Sequence, residues 1–133
     1  MKYLCLGYYA PEAFDALSDE ERKALGERCR RHDETFIGTG RVLDVATLQH
    51  SAGAHIRPGP EGPSITDGPF AETREVVGSF FLIEADSLDE AKEIASLHPA
   101  ARIGWEVGFS MEVRPVETLW VRDGEYVGPP QPT

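Results

Sequence analysis

The run Val76–Ala85, Val-Val-Gly-Ser-Phe-Phe-Leu-Ile-Glu-Ala, constrains this chain more than any other stretch. It alternates as a strand does, yet it is apolar on both faces. A strand of that kind belongs in the middle of a sheet that is covered on both sides. Residues 2–9 read the same way: Leu4, Leu6 and Tyr8 take one face, Tyr3, Cys5, Gly7 and Tyr9 the other, and neither is charged. Pro11 ends that strand.

Each of these strands is followed by a capped helix. Ser18-Asp-Glu-Glu21 is a capping box that opens a helix over 19–37. Leu25, Cys29, His32 and Phe36 share one face of its 3.6-residue period, and Gly38 and Gly40 terminate it. Ser87-Leu-Asp-Glu90 opens a second helix that runs to about His98 and stops at Pro99. Its inward side is marked by Leu88, Ala91, Ile94, Ala95 and His98. Arg41–Leu48 and Trp105–Val116 supply the strands that follow the two helices. A short strand is expected over 54–57, and the proline- and glycine-rich segment 58–63 reads as a loop or hairpin tip.

Strand, capped helix, strand thus occurs twice in order. That is the split β-α-β pattern of a ferredoxin-like α+β fold, an antiparallel four-stranded sheet with two helices on one face. Two helices cannot cover both faces of a sheet whose central strands are apolar on both. A second copy of the chain is the economical cover, so a homodimer is expected. The domain spans 1–117; the tail 118–133 is partly docked through Leu119, Trp120 and Val121, with a disordered end.

A chain of 133 residues with 41% hydrophobic content can build one core. Its net charge of −10 and pI near 4.8 disfavour direct contact with nucleic acid or an anionic membrane. Met1-Lys2 runs straight into the first strand without a signal-peptide pattern, and no apolar run approaches the roughly 20 residues that cross a bilayer. Two cysteines without metal spacing form no disulfide framework. A cytoplasmic protein with free thiols is expected.

Between the proline-rich segment and the strand at Val76 lies the densest cluster of chemical groups. Asp67-Gly68-Pro69 is turn chemistry. Phe70 is the large apolar side chain that pins the loop, and Glu72, Arg74 and Glu75 follow. Asp67 is either an acid–base group with its pKa raised by desolvation or an Asx-turn former. Phe70, Glu72 and Arg74 are the ligand-binding candidates; Arg74 offers a planar fork to a carboxylate, against the plainer reading of a surface ion pair. His32, on the apolar helix stripe, is a general-base candidate or a semi-buried core histidine. His98, at a helix C-terminus, is a catalytic candidate or a cationic cap. His50 and His55 lack metal-site spacing, so neither metal nor cofactor is expected. Serine-hydrolase, Walker and dinucleotide fingerprints are absent.

The decapeptide Thr66-Asp-Gly-Pro-Phe-Ala-Glu-Thr-Arg-Glu75 resembles the signature of the DGPF proteins, a branch of the YCII-like superfamily. Met1–Tyr9, His98-Pro99 and Glu112-Val-Arg-Pro115 are similar to that family as well. The resemblance implies a dimeric α+β barrel of ferredoxin-like protomers. It further implies a helix histidine and a loop aspartate forming a dyad in a cleft, and one relative is a dehydrochlorinase of a chlorinated hydroxyquinol. The position similar to that histidine is Cys29, with His32 one turn later, while Asp67 matches the aspartate. Such proteins are often encoded beside extracytoplasmic-function sigma factors. Two functions are therefore expected: a lyase or isomerase that moves a proton on an unidentified small molecule with Asp67 and a histidine, or a ligand-sensing or partner-binding regulatory module without turnover, tied to a sigma factor.

Overall fold

In the computed structural model, which describes residues 1–49, 52–67 and 75–129, the first capping box forms in both directions. The Ser18 N–H donates to Glu21 Oε1 at 2.9 Å, and the Glu21 N–H donates to Ser18 Oγ at 3.1 Å. Asp19, Glu20 and Glu21 place negative charge on the positive end of the helix dipole. The helix α2 (Asp19–Ile37) runs over the expected residues. Gly40, at φ 72°, makes the left-handed turn that ends it, whereas Gly38 keeps a helical φ. A short helix before it, α1 (Pro11–Asp15), was not anticipated: Pro11 does end the strand β1 (Lys2–Tyr9), but it does so by occupying the first helical position.

The strands β2 (Val42–Thr47), β5 (Val76–Glu84) and β6 (Ser110–Pro115) join β1 in one sheet of order β2-β5-β1-β6, with every neighbouring pair antiparallel. This is the expected ferredoxin-like order, with the two doubly apolar strands in the centre. The core lies on the face towards α2 and the helix α3 (Leu88–Ala95). Tyr3, Cys5, Phe81 and Ile83 from the sheet pack there with Phe36, Ala91, Ile94 and Ala95 from the helices. The opposite face carries Leu4, Leu6 and Tyr8 paired with Leu82, Phe80 and Val77.

Several boundaries differ from the sequence reading. α3 ends at Ala95, and Leu88 is 39% exposed instead of inward. Ser87 caps α3 by accepting from the Glu90 N–H, while the Glu90 carboxylate pairs with Arg41 Nη1 at 2.6 Å. Pro99 does not simply stop the chain; it opens a 3-10 turn, Pro99–Ala101. The strand expected over 105–116 starts only at Ser110. Trp105–Val107 is a 3-10 turn bracketed by left-handed Gly104 and Gly108. There the Ala10 N–H donates to Val107 O at 2.8 Å, and a Cβ on Gly108 would stand 2.8 Å from Ala10 Cβ. Gly108 therefore needs both its φ and its missing side chain.

Two hairpins complete the chain. β3 (Ala54–Arg57) pairs with β4 (Ser64–Asp67), so Ser64–Asp67 is a strand where an irregular loop was expected. β7 (Thr118–Val121) pairs with β8 (Gly124–Val127). This second hairpin is tied to β1 by the Lys2 N–H, which donates to the Tyr126 hydroxyl at 2.9 Å. Trp120 itself is 74% exposed, so tyrosine rather than tryptophan makes that contact. No helix among the described residues is long and apolar enough to cross a membrane.

Candidate active site

The site is built around a histidine that Pro99 shapes. A residue before proline is pushed out of the helical region, and His98 takes φ −69° and ψ 146° after α3 has ended. That conformation lets its ring fold back so that Nδ1 accepts the Ala100 N–H at 3.0 Å. The ring stacks on Phe81 (centroids 4.3 Å, 21° between planes) and meets the Phe36 edge at 5.2 Å and 87°. His98 is 8% exposed.

A backbone N–H can only donate, so Nδ1 is bare and the imidazole proton sits on Nε2. Nε2 stands 3.6 Å from Oδ1 of Asp33, on α2. Burial lowers the His98 pKa to about 4. The contact is therefore a neutral N–H facing a carboxylate at neutral pH, not an ion pair. Its length is just beyond a direct hydrogen bond, as is common in sites that tighten when occupied. The Asp33 pKa is raised, chiefly by desolvation, with neighbouring His32 pulling it the other way.

Asp33 and His98 border a cleft of about 390 Å³ between α2 and the sheet. Thr47, Ser79 and Gly7 lie in register across its floor on β2, β5 and β1. A Cβ on Gly7 would collide with the Ser79 hydroxyl, so that glycine keeps space for it. Tyr9, Phe14 and Phe109 line the walls. Cys29 also lines the cleft, but burial pushes its thiol up to about 11 and keeps it protonated, unsuited to nucleophilic attack. Among the described residues no group of three His, Cys, Asp or Glu side chains could hold a metal.

The expected site residues fare differently. His98 is present, but as a buried neutral ring that caps a 3-10 turn, not as a cation at a helix C-terminus. His32 is half-buried and adjacent in sequence to Asp33, yet it does not line the cleft. Asp67 is exposed at the end of β4 and is likewise absent from the lining. Phe70, Glu72 and Arg74 lie outside the described residues. Asp33 was missed. Its signal was its place four residues after Cys29 and three before Phe36, which puts a carboxylate on the inward face of a helix.

The pH dependence of folding should report His98 directly. Its unfolded imidazole binds a proton near 6.5 and its folded one near 4, so between these values the unfolded chain holds more protons. Stability contributed by the neutral ring is complete above about 6.5 and is lost as the pH falls through 4. The full loss is on the order of 3 kcal/mol. Asp33, shifted upward from its ordinary value by desolvation, works in the opposite sense and offsets part of that loss. Urea midpoints measured from pH 7 to pH 4 should fall steeply, and H98N should flatten most of that slope. An unchanged slope would mean that His98 is accessible and titrates normally.

Comparison with known proteins gives the chain its family. A model of the YCII-related domain matches residues 1–117. An uncharacterised protein of Rhizobium meliloti (strain 1021) is 31% identical over 129 residues, covering 87% of this chain and 92% of the relative. The match takes in all four strands of the sheet, both long helices and the Asp33–His98 cleft, and the chain belongs to the YCII-related family.

Proposed function

We propose that the protein is a lyase or isomerase that moves a proton on a small, largely apolar organic molecule held in the cleft. Asp33 takes and returns the proton, and His98 is its positioning residue. The observation that supports this reading most strongly is the Ala100 N–H on His98 Nδ1. It leaves His98 no free basic nitrogen and turns its N–H towards Asp33. The partly desolvated carboxylate is then the group of the pair with lone pairs free to take a proton, as a proton acceptor in this cleft requires. On a C–H acid next to a carbonyl, Asp33 removes the proton and the electron pair moves to the carbonyl oxygen. The hydroxyls of Ser79 and Thr47 on the floor are suited to meet that oxygen. Return of the proton to another carbon isomerises the substrate; loss of a leaving group makes the reaction an elimination. This reading moves the acid–base role from Asp67 and His32 to Asp33.

The reaction is tested with 2-tetralone in D2O, following loss of its α-proton signals by NMR. Exchange well above that in acetate of equal concentration is the expected result. Exchange no faster than in acetate would remove the enzyme reading. Binding without exchange would leave the ligand-sensing, regulatory module, for which a sigma factor is the candidate partner.

The homodimer belongs to the same proposal. Phe80 is 38% exposed beside half-buried Leu4 and Leu6 on the sheet face away from the helices, and a second sheet would cover them. Light scattering at micromolar concentration should give about twice 14.7 kDa; a persistent monomer would refute the barrel. A reducing cytoplasm suits the buried Cys5 and half-buried Cys29, both free thiols.

A further inference from the structure

Asp33 is the one charged side chain among the described residues that line the cleft. Around it the walls are aromatic: Tyr9, Phe14, Phe36 and Phe109. Its histidine neighbour is neutral, and no lysine or arginine is among those lining residues. Nearby cations are engaged outside the cleft. Arg22 lies 5.8 Å from the Phe14 ring but donates to the carbonyls of Leu17 and Asp15, and Arg28 pairs with Glu106.

From this arrangement we infer that the cleft selects an organic cation, an ammonium group carried on an apolar or aromatic body. The Asp33 side chain keeps only 43% of its exposure and has no lysine or arginine beside it among the described lining residues, so a ligand that brings a cation offsets its partial desolvation. Aromatic faces attract the same charge through their quadrupoles. Among the described lining residues an anionic ligand would meet Asp33 with no lysine or arginine to compensate it, which is repulsion built into that part of the site. A neutral ligand would fill the cleft but leave the carboxylate unmatched. The net charge of −10 favours the approach of cations as well. The desolvation that raises the Asp33 pKa agrees with an unmatched carboxylate. The inference rests on the assignment of the Asp33 cleft as the ligand site, and it names the class of ligand.

Three probes of nearly the same shape test it: phenethylammonium, 2-phenylethanol and phenylacetate, titrated into the whole protein at pH 7.5 by calorimetry or NMR. Phenethylammonium should bind at least tenfold tighter than the alcohol, and phenylacetate most weakly of all. D33N should bring the cation and the alcohol to within about twofold, while the alcohol's own affinity changes little. That substitution barely alters the net charge, so it separates the site from the general field of the protein. Equal or tighter binding of the alcohol or of phenylacetate overturns the inference, as does absence of binding by all three. A cation preference that survives in D33N also overturns it. Should D33N not fold, the ranking of the probes on the native protein decides the question. Rapid exchange of 2-tetralone without a cation preference would sink this inference alone. A cation preference without exchange would sink only the acid–base reading.

Discussion

D33N is expected to lower the α-proton exchange of 2-tetralone by 10²-fold or more, to the level of the solvent reaction, while the protein stays folded. The magnitude is the usual one for losing a positioned acid or base. Asn has the size of Asp, and its amide oxygen can still face His98 Nε2–H, but it cannot take a proton near neutral pH. Its stability should move by less than about 1 kcal/mol, because the substitution leaves no cavity and relieves the burial of a charge. D67N serves as the contrast. Asp67 is exposed on the β3–β4 hairpin and lines no part of the cleft, so exchange in that variant should match the native rate. The reverse outcome, loss in D67N and none in D33N, would return the proton transfer to the residue that the family resemblance favours.

F81A should be the most damaging single truncation in the sheet. Phe81 is fully buried, meets Phe36 edge to face at 5.0 Å, and forms the floor on which His98 stacks at 4.3 Å. Removing its ring costs about 3–5 kcal/mol, the range for a buried phenylalanine reduced to alanine. That is a large part of the 5–15 kcal/mol that a domain of this kind commonly has. Urea unfolding at pH 7 should show the midpoint falling with little change in slope. F81L, which keeps most of the volume, should cost much less, and comparing the two separates lost burial from lost ring stacking. A change in F81A below about 1 kcal/mol would mean that the core does not close around this strand as described.

The fold was legible because it depends on local rules that agree with one another. Two capped helices, each following a strand apolar on both faces, leave few arrangements other than the four-stranded antiparallel sheet. The helix starts followed from Ser18 and Ser87, whose hydroxyls satisfy backbone donors within their own helices. Short elements were harder. Pro11 was read as a strand breaker, though proline also starts helices, and Trp105–Val107 was drawn into a strand because its apolar residues mask a turn set by two left-handed glycines. β4 escaped notice because its alternation is short and its partner lies across a proline-rich tip.

The site was decided by tertiary structure. Sequence spacing brought Cys29, His32 and Phe36 onto one helix face, but a helix face is broad, and only packing shows which residue at its edge looks into the cleft. His98 was visible as a histidine before proline. Its protonation, however, depends on burial between Phe36 and Phe81 and on the Ala100 N–H, which converts an apparent helix-end cation into a neutral ring. Asp67 drew attention because unusual turn residues stand out in a sequence, and Asp33 did not because one more acid on a charged helix does not. What sequence alone determined is therefore the order and polarity of the strands and helices, since those follow from near-neighbour hydrogen bonds and periodicity. The pairing of Asp33 with a histidine 65 positions away is a long-range contact, fixed only when the packed helix and sheet bury the histidine and bring the half-buried carboxylate to its edge.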